Sequence, residues 1–286
     1  MLKGLVSILS HMPLGVHYFF ADWLIYPLMY YVVRYRRKMV RKNLRLSFPE
    51  KSEDERLTIA KAFYHQFCDT IVETIYGSTR SNAEIKEREV FVNAEEVNRA
   101  AKEHGGCIVM MAHMGNWEWK ASCQQWFDPE VTEMNGYRKL KNKAMDELMI
   151  FIREKREGVL VEKQRLLREM VRFRAEKHPI VLGLIADQKP RPEVTRTWVT
   201  FLHQDTGFLD GGEIMGKKFN YPVFCLHVSR PKRGYYVSRF DLITMTPQET
   251  AEGEITTAYA RLLEQNILEE PALWLWTHNR WKWGRI

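Results

Sequence analysis

Apolar residues in this chain follow two patterns, a helical repeat and short unbroken runs. Across residues 53–76 they recur at helical spacing until Gly77, which predicts one long helix packed in the core. Unbroken apolar runs at 107–111, 180–186 and 222–228 are short and bounded by turn residues, which predicts buried strands.

Further helices are predicted between these strands. Asn93 and Glu96 form a capping-box pattern at the start of one helix, and helical spacing also marks residues 208–219 and 256–268. Strands that alternate with helices indicate an α/β fold, in which a largely parallel central sheet is flanked by helices. Since no linker or internal repeat divides the chain, we expect one folded domain.

The N-terminal segment, residues 1–45, differs from the predicted domain at 46–286. Residues 12–33 are mostly apolar and about long enough to cross a bilayer, but Asp22 falls near their middle. An exposed carboxylate there costs about 2.5 to 3.5 kcal/mol. A helix that lies in one leaflet, or is shielded by the protein, therefore fits at least as well as a membrane span.

A basic stretch at residues 34–45 follows the apolar segment and contains no acidic residue. Such a stretch is typical of segments beside the anionic, cytoplasmic face of a membrane. The sequence therefore predicts a membrane-binding N-terminal helical segment that places the domain on that face. The alternative is a buried helical hairpin followed by a solvated basic helix.

The net charge and the aromatic content of the chain also indicate which partners it binds. The 286-residue chain has a formal net charge of +7, which favours an anionic membrane surface, a phosphorylated substrate or a nucleic acid as partner. We expect no nucleic acid, because that partner leaves the apolar segment unexplained. Four of the nine tryptophans crowd the C-terminal end beside basic residues such as Arg285, which suits a membrane interface or, alternatively, core packing: Trp274, Trp276, Trp281 and Trp283.

The candidate chemistry lies directly after the predicted strand at 107–111, where His113 is followed by Glu118. Residues five apart on a continuous helix point about 140° apart, so these two side chains meet only if the chain turns, as Gly115 and Asn116 permit. A neutral imidazole can accept a proton from an alcohol, and a carboxylate can stabilise the imidazolium that forms. The pattern predicts that His113 acts as general base with Glu118 as its partner. A loop histidine with satisfied hydrogen bonds is the alternative.

The segment from His113 to Glu118 resembles the H-x4-(D/E) motif of the lysophospholipid acyltransferase superfamily. It resembles more closely the late acyltransferases of lipid A biosynthesis, the lauroyl and myristoyl transferases. Other segments are similar to these enzymes in the same order along nearly the whole chain: 42–50, 136–138 with Arg153 downstream, 187–188, 201–207 and 275–282.

The resemblance implies roles for further residues. Arg153 becomes an active-site arginine, Asp187 a carboxylate that orients Arg153 or the dyad, and Arg138 and Gln188 lesser candidates for substrate binding. Each also has a simpler interpretation, as surface charge for the arginines and as turn hydrogen bonding for Asp187 and Gln188. Asn116 is a candidate too, although it also fits an Asx turn between His113 and Glu118.

The function implied by the resemblance is acyl transfer at a bacterial inner membrane. Acyl carrier protein would donate a fatty acyl chain from its thioester, and a hydroxyl of an acylated, phosphorylated glucosamine disaccharide would accept it. No cofactor is implied, and the remaining histidines lack metal-ligand spacing. The rivals are a lysophospholipid or aminolipid O-acyltransferase, with coenzyme A as a further possible donor, and a basic membrane-binding protein without catalytic activity.

Overall fold

A computed structural model describes residues 2–282 of the chain. Its helices are α1 (Leu2–Ser10), α2 (Leu14–Phe20), α3 (Arg37–Ser47), α4 (Glu53–Gly77), α5 (Asn82–Lys86), α6 (Ala94–His104), α7 (Lys143–Arg153), α8 (Leu166–Ala175), α9 (Gly211–Phe219) and α10 (Glu254–Glu269). Its strands are β1 (Glu89–Val92), β2 (Gly106–Met111), β3 (Thr132–Tyr137), β4 (Val159–Glu162), β5 (Ile180–Ile185), β6 (Thr197–Phe201), β7 (Gln204–Phe208), β8 (Val223–Lys232) and β9 (Tyr235–Thr244). Trp283 and Arg285 lie outside the described residues.

Seven of these strands form one sheet in the order β1-β9-β8-β2-β5-β3-β4. Every neighbouring pair in it is parallel except β8 and β9, which form an antiparallel hairpin. Strands β2 and β5 are buried along most of their length, as expected of parallel strands covered by helices on both faces. The prediction of a single α/β domain with a largely parallel sheet is confirmed.

The predicted elements differ from the observed ones mainly at their ends. The apolar runs correspond to β2, β5 and the first half of β8, and the long helix is α4. The helix expected from residue 208 begins at Gly211, because residues up to Phe208 pair in the β6–β7 hairpin. The capping box expected at Asn93 is absent, since its side-chain oxygen accepts from the Phe240 N–H instead of capping α6.

The tryptophans Trp274 and Trp276 lie in the protein core and not at a surface. They are 2% and 0% exposed, and their rings meet edge to face with centroids 4.8 Å apart. Trp276 also packs against Phe48, just after α3. The interpretation of these two residues as membrane-interface aromatics is therefore wrong, and core packing is correct. The reason is that the segment after α10 folds back over the sheet, where the Gly115 N–H donates to the Leu273 carbonyl.

The N-terminal helices pack one side against α4 and leave the other side open. The open side carries large apolar side chains: Leu5, Ile8, Phe19, Phe20, Trp23, Leu24, Leu28, Tyr31, Val32 and Val33. Asp22 faces the protein, where Arg233 donates two hydrogen bonds of 2.8 Å to its carboxylate. Over residues 2–282 no single helix has the length and apolar character to cross a membrane. By length and composition alone the pair Leu2–Ser10 and Leu14–Val32, bent by 115°, could do so.

Candidate active site

The carboxyl ends of β2 and β5 bring together two residues that are far apart in the sequence. His113 follows β2 and Asp187 follows β5, and the register of the two parallel strands places Met111 opposite Ile185. The Asp187 carboxylate accepts hydrogen bonds from His113 Nδ1 at 2.7 Å, from the His113 backbone N–H at 3.0 Å and from Trp274 Nε1 at 3.0 Å. These three bonds fix the imidazole and leave its Nε2 to face outward.

The environment of this pair sets its protonation. Burial tends to lower the pKa of His113, but the charge and hydrogen bond of Asp187 outweigh burial and raise it above the usual value. Glu118 raises this pKa further, and Arg153 opposes it. Burial tends to raise the pKa of Asp187, yet His113 and Trp274 lower it to about 2. Asp187 is therefore ionised at neutral pH, and Nδ1 carries the proton of the neutral imidazole.

Glu118 lies beside this pair but bonds to another partner. Arg153, at the end of α7, donates from Nε and Nη2 to the two Glu118 oxygens at 2.8 and 2.9 Å. The H-x4-E motif predicted a direct pair of Glu118 with His113, whereas Asp187 bonds to the imidazole and Glu118 bonds to Arg153. The reason is geometric, because Glu118 sits at the start of the 3-10 helix Trp119–Trp126, past the turn. A bidentate arginine pair then satisfies its carboxylate.

Asn116 makes the turn that sets Glu118 in place. Its side-chain oxygen accepts from the backbone N–H groups of Glu118 at 3.2 Å and Trp119 at 3.3 Å, which is the Asx turn that the sequence suggested. Its side-chain amide donates to Glu73 at 3.0 Å. Glu73 is fully buried on α4 and also accepts from the hydroxyls of Tyr18 and Tyr236, each at 2.8 Å. The turn thus rests on a buried polar network that reaches α2.

Two further candidates lie at the surface. The Gln188 side-chain nitrogen is 3.4 Å from His113 Nε2, so this exposed amide lies beside the imidazole nitrogen that Asp187 does not bind. Arg138 is exposed at the end of β3. A basic loop follows it with Lys139 and Lys141, close to Lys163, whose backbone N–H bonds to the Tyr137 carbonyl at 2.8 Å.

Sequence reasoning missed two supporting residues, Trp274 and Glu73. Trp274 stood in the aromatic C-terminal segment, where its spacing gave no sign of a bond to Asp187. Glu73 offered one signal, a carboxylate within the buried helical repeat of α4. The dispersed segments that carried the resemblance also converge here, since Asn43 donates to the carbonyls of Trp276 and His278 at 2.9 and 3.0 Å.

A pocket opens next to His113 on one face of the sheet. Its empty volume is about 620 Å³, which includes space open to solvent. Trp117, whose ring meets the His113 ring edge-on at 5.4 Å, lies on its wall. Three charged side chains line the pocket, those of Glu118, Lys120 and Arg153. Most of the other lining residues are apolar or small, among them Met111, Ala121, Leu160, Gly183 and Ile185. This shape suits an alkyl chain with its polar end near the His113 imidazole.

The groups that the site offers for catalysis are side chains of the protein. Within residues 2–282 no group of three or more His, Cys, Asp or Glu side chains is arranged to hold a metal ion. What the site offers is a histidine with an accepting Nε2, an ionised carboxylate behind it, and an apolar pocket beside it. This arrangement can activate a hydroxyl next to a bound alkyl chain.

Comparison with known families agrees with this geometry. The family model described as bacterial lipid A biosynthesis acyltransferase matches residues 3–283. The chain belongs to this family. No curated protein sequence matches the chain. Membership in the lipid A acyltransferase family makes the chain an acyltransferase enzyme, and the match spans the N-terminal helices, the sheet and the C-terminal segment alike.

Proposed function

We propose that this lipid A acyltransferase moves a fatty acyl chain from a thioester to a hydroxyl of an acylated, phosphorylated glucosamine disaccharide. The observation that carries the proposal is the His113–Asp187 pair at 2.7 Å, which uses Nδ1 and not Nε2, beside a pocket whose wall includes Trp117, the ring that packs against His113. A base in this position can take a proton from a lipid hydroxyl while the acyl chain lies in the pocket.

The reaction then needs no nucleophile from the protein. His113 Nε2 accepts the hydroxyl proton as the acceptor oxygen bonds to the thioester carbonyl carbon. The tetrahedral intermediate collapses, the carbon–sulfur bond breaks, and the imidazolium returns its proton to the leaving thiolate. Asp187 stabilises the imidazolium in between, since it is ionised and hydrogen-bonded to Nδ1. The products are the acylated acceptor and the free thiol, and His113 returns to its neutral form.

Glu118 and Arg153 support the same step from the other side. Their bidentate pair borders the pocket near its polar end, where the thioester carbonyl would lie. The negative charge of Glu118 favours imidazolium at His113, and the guanidinium of Arg153 can face oxygen that becomes negative in the tetrahedral intermediate. Glu118 of the H-x4-E motif therefore supports the reaction by its negative charge and by holding Arg153 in place.

For the donor we propose acyl carrier protein, an acidic partner. Basic side chains with few acidic neighbours stand beside strands β3 and β4, which line the pocket: Arg138, Lys139, Lys141, Lys163, Arg165 and Arg168. They are exposed, so they can meet an acidic protein while its thioester reaches the pocket. Coenzyme A, a small anionic donor, would not need so wide a basic surface.

For the location we propose the cytoplasmic face of a bacterial inner membrane. The open apolar side of the N-terminal helices would enter one leaflet, and the basic residues of 34–45 would meet anionic lipid headgroups. Arg233 pairs with the Asp22 carboxylate of the apolar segment and balances its charge, while the Asp22 side chain stays 35% exposed. These features support an anchor shielded by the protein.

The test is acyl transfer by purified wild type and His113→Ala protein, with an acyl carrier protein thioester and the disaccharide lipid as substrates. Loss of the base should lower the rate by about 10² to 10⁴-fold while lipid binding changes little. Substantial transfer by folded His113→Ala protein would contradict the mechanism. Transfer to a lysophospholipid but not to the disaccharide would contradict the proposed acceptor. It would favour a lysophospholipid O-acyltransferase instead.

A further inference from the structure

Arg280 is a buried cation that the proposed reaction does not use. It is 3% exposed, its Nη2 donates to the Gly207 carbonyl at 2.5 Å, and its guanidinium carbon lies 4.6 Å from the centre of the Phe208 ring. Its Nε has no hydrogen-bond partner, and no carboxylate of the described chain forms an ion pair with it. Burial lowers its pKa to about 10, which still leaves it charged at neutral pH.

A buried charge without a counter-ion is unfavourable, so its presence points to a ligand that supplies the opposite charge. Asp187 is near enough to favour the charged form of Arg280, but its oxygens are taken by His113 and Trp274. Within residues 2–282 the buried Nε–H of Arg280 therefore has no acceptor, and a ligand can supply one.

Other cations gather around Arg280. Burial lowers the pKa of Lys189, and repulsion from three neighbouring cations lowers it further: Lys282, Arg280 and Arg36. Arg36 reaches this place from the start of α3, where its Nη1 donates to the Thr277 carbonyl at 2.9 Å. Three separate parts of the chain thus bring like charges together despite their repulsion.

A small pocket lies between Lys189 and Arg280. It has an empty volume of about 240 Å³, including space open to solvent, and Trp198, Thr206 and Trp281 also line it. One carboxylate, that of Asp205, is part of the lining. Two cationic side chains, those of Lys189 and Arg280, line the pocket together with this one carboxylate.

The geometry points to a binding site for a phosphate group in this pocket, held by Arg280 and Lys189, with the positive charge of Arg36 nearby. A guanidinium N–H without an acceptor matches a phosphate oxygen, and an ammonium adds a second positive charge. The pocket adjoins the His113 site along the chain, since Lys189 comes two residues after Asp187 and the Gln188 side-chain nitrogen between them is 3.4 Å from His113 Nε2. A phosphate bound in the pocket would position the acceptor relative to His113.

Two phosphates can reach the pocket if the proposed function holds. One belongs to the disaccharide acceptor, and the other to the phosphopantetheine arm that carries the thioester of acyl carrier protein. Both present oxygens of a phosphate ester, so the chemistry of the site is the same. Kinetic constants for each substrate separate the two sources.

Lys189→Gln is the test variant, because Lys189 is only partly buried and the His113–Asp187 pair stays in place. Rates are measured for full-length protein in detergent micelles, with the bisphosphorylated acceptor and with the two forms that lack one phosphate. We expect the KM for the bisphosphorylated acceptor to rise about 10- to 100-fold, with a smaller change in kcat. With the acceptor that lacks the phosphate bound in this pocket, Lys189→Gln and wild type should have the same KM.

Lys218→Gln is the matched control, since it removes the same charge at the end of α9, next to the amino end of β8 and away from His113. Its KM values should equal those of wild type. If only the KM for the donor rises, and only with a phosphopantetheine thioester, the pocket holds the donor phosphate. If neither KM changes in Lys189→Gln or in Lys189→Gln/Arg36→Gln, the phosphate site is overturned.

A calorimetric titration separates failure of this inference from failure of the proposed function. Wild-type protein that transfers no acyl chain to any acceptor would refute the proposed function alone. Inorganic pyrophosphate should still bind wild type and Lys218→Gln, and bind Lys189→Gln more weakly by about tenfold or more. Absence of binding to wild type, or equal binding to all three proteins, would overturn the phosphate site.

Discussion

Asp187→Asn is the substitution that best separates the observed carboxylate partner of His113 from the one expected from the sequence. The wild-type carboxylate accepts from His113 Nδ1, from the His113 N–H and from Trp274 Nε1. An asparagine has one accepting oxygen and an NH₂ group, so one of these donors must face another donor. If the NH₂ group faces Nδ1, the imidazole carries its proton on Nε2 and cannot act as a base.

The size of the effect follows from charge separation. The imidazolium and carboxylate centres, joined by the 2.7 Å bond, stand about 4 Å apart, where opposite charges interact by about 4 kcal/mol at an effective dielectric constant near 20. Since about 1.4 kcal/mol corresponds to a tenfold change, Asp187→Asn should lower kcat/KM by about 10³-fold. Glu118→Gln leaves the His113–Asp187 bond intact, so its loss should be about 10- to 10²-fold.

The assay is the pH dependence of kcat/KM between about pH 5 and pH 9. Because neutral His113 is the active form and its pKa is raised, wild-type activity should fall as pH drops through a value above the usual histidine pKa. Asp187→Asn removes the group that raises this pKa, so the acidic limb should move to lower pH. If Glu118→Gln loses more kcat/KM and shifts the acidic limb further than Asp187→Asn does, Asp187 is not the functional partner of His113. That result would favour the direct His113–Glu118 pair expected from the sequence.

Three further predictions concern the pocket, the buried network and the N-terminal helices. Gly183→Val should reduce transfer of long acyl chains relative to short ones, because a Cβ there lies 2.8 Å from Asn135 Oδ1 and 2.9 Å from the Met111 methyl, both on the pocket wall. Gly136→Val should not, because a Cβ there meets Leu166 and Leu184, which do not line the pocket. Glu73→Ala should lower the free energy of unfolding by about 1 to 3 kcal/mol in denaturant titrations, with Glu73→Gln milder. Trp23→Ser, at a side chain 74% exposed, should weaken flotation with anionic vesicles. Unchanged chain-length preference, stability or flotation would contradict each in turn.

The fold could be predicted where a single local pattern decides an element. The strands β2 and β5 are continuous apolar runs, and α4 keeps a helical repeat over its whole length, so periodicity identifies them. The β6–β7 hairpin and β3 were missed because they mix polar residues such as Asn135 and Asp205 into short strands. Their pairing depends on neighbours far along the chain, which local patterns do not contain.

The antiparallel β8–β9 pair was missed for a different reason. Only the first half of β8 is an apolar run, and the second half passes through Arg230 into a turn at Gly234 with φ of +75°. That hairpin extends beyond the sheet to the N-terminal helices, where Arg233 bonds to both Asp22 and Asp69. These contacts join residues far apart in the sequence, which a local pattern does not contain.

The active site shows where reasoning from motif spacing stops. A strand followed by a turn places His113 at the carboxyl edge of the sheet, and this much follows from residues 107–116 alone. Which carboxylate reaches the imidazole depends on which strand lies next to β2. Because β5 is that neighbour and its register sets Ile185 beside Met111, the residue two positions later meets His113. Glu118, although much nearer in sequence, is carried past the turn to Arg153, so the motif locates the imidazole while sheet topology selects its carboxylate partner.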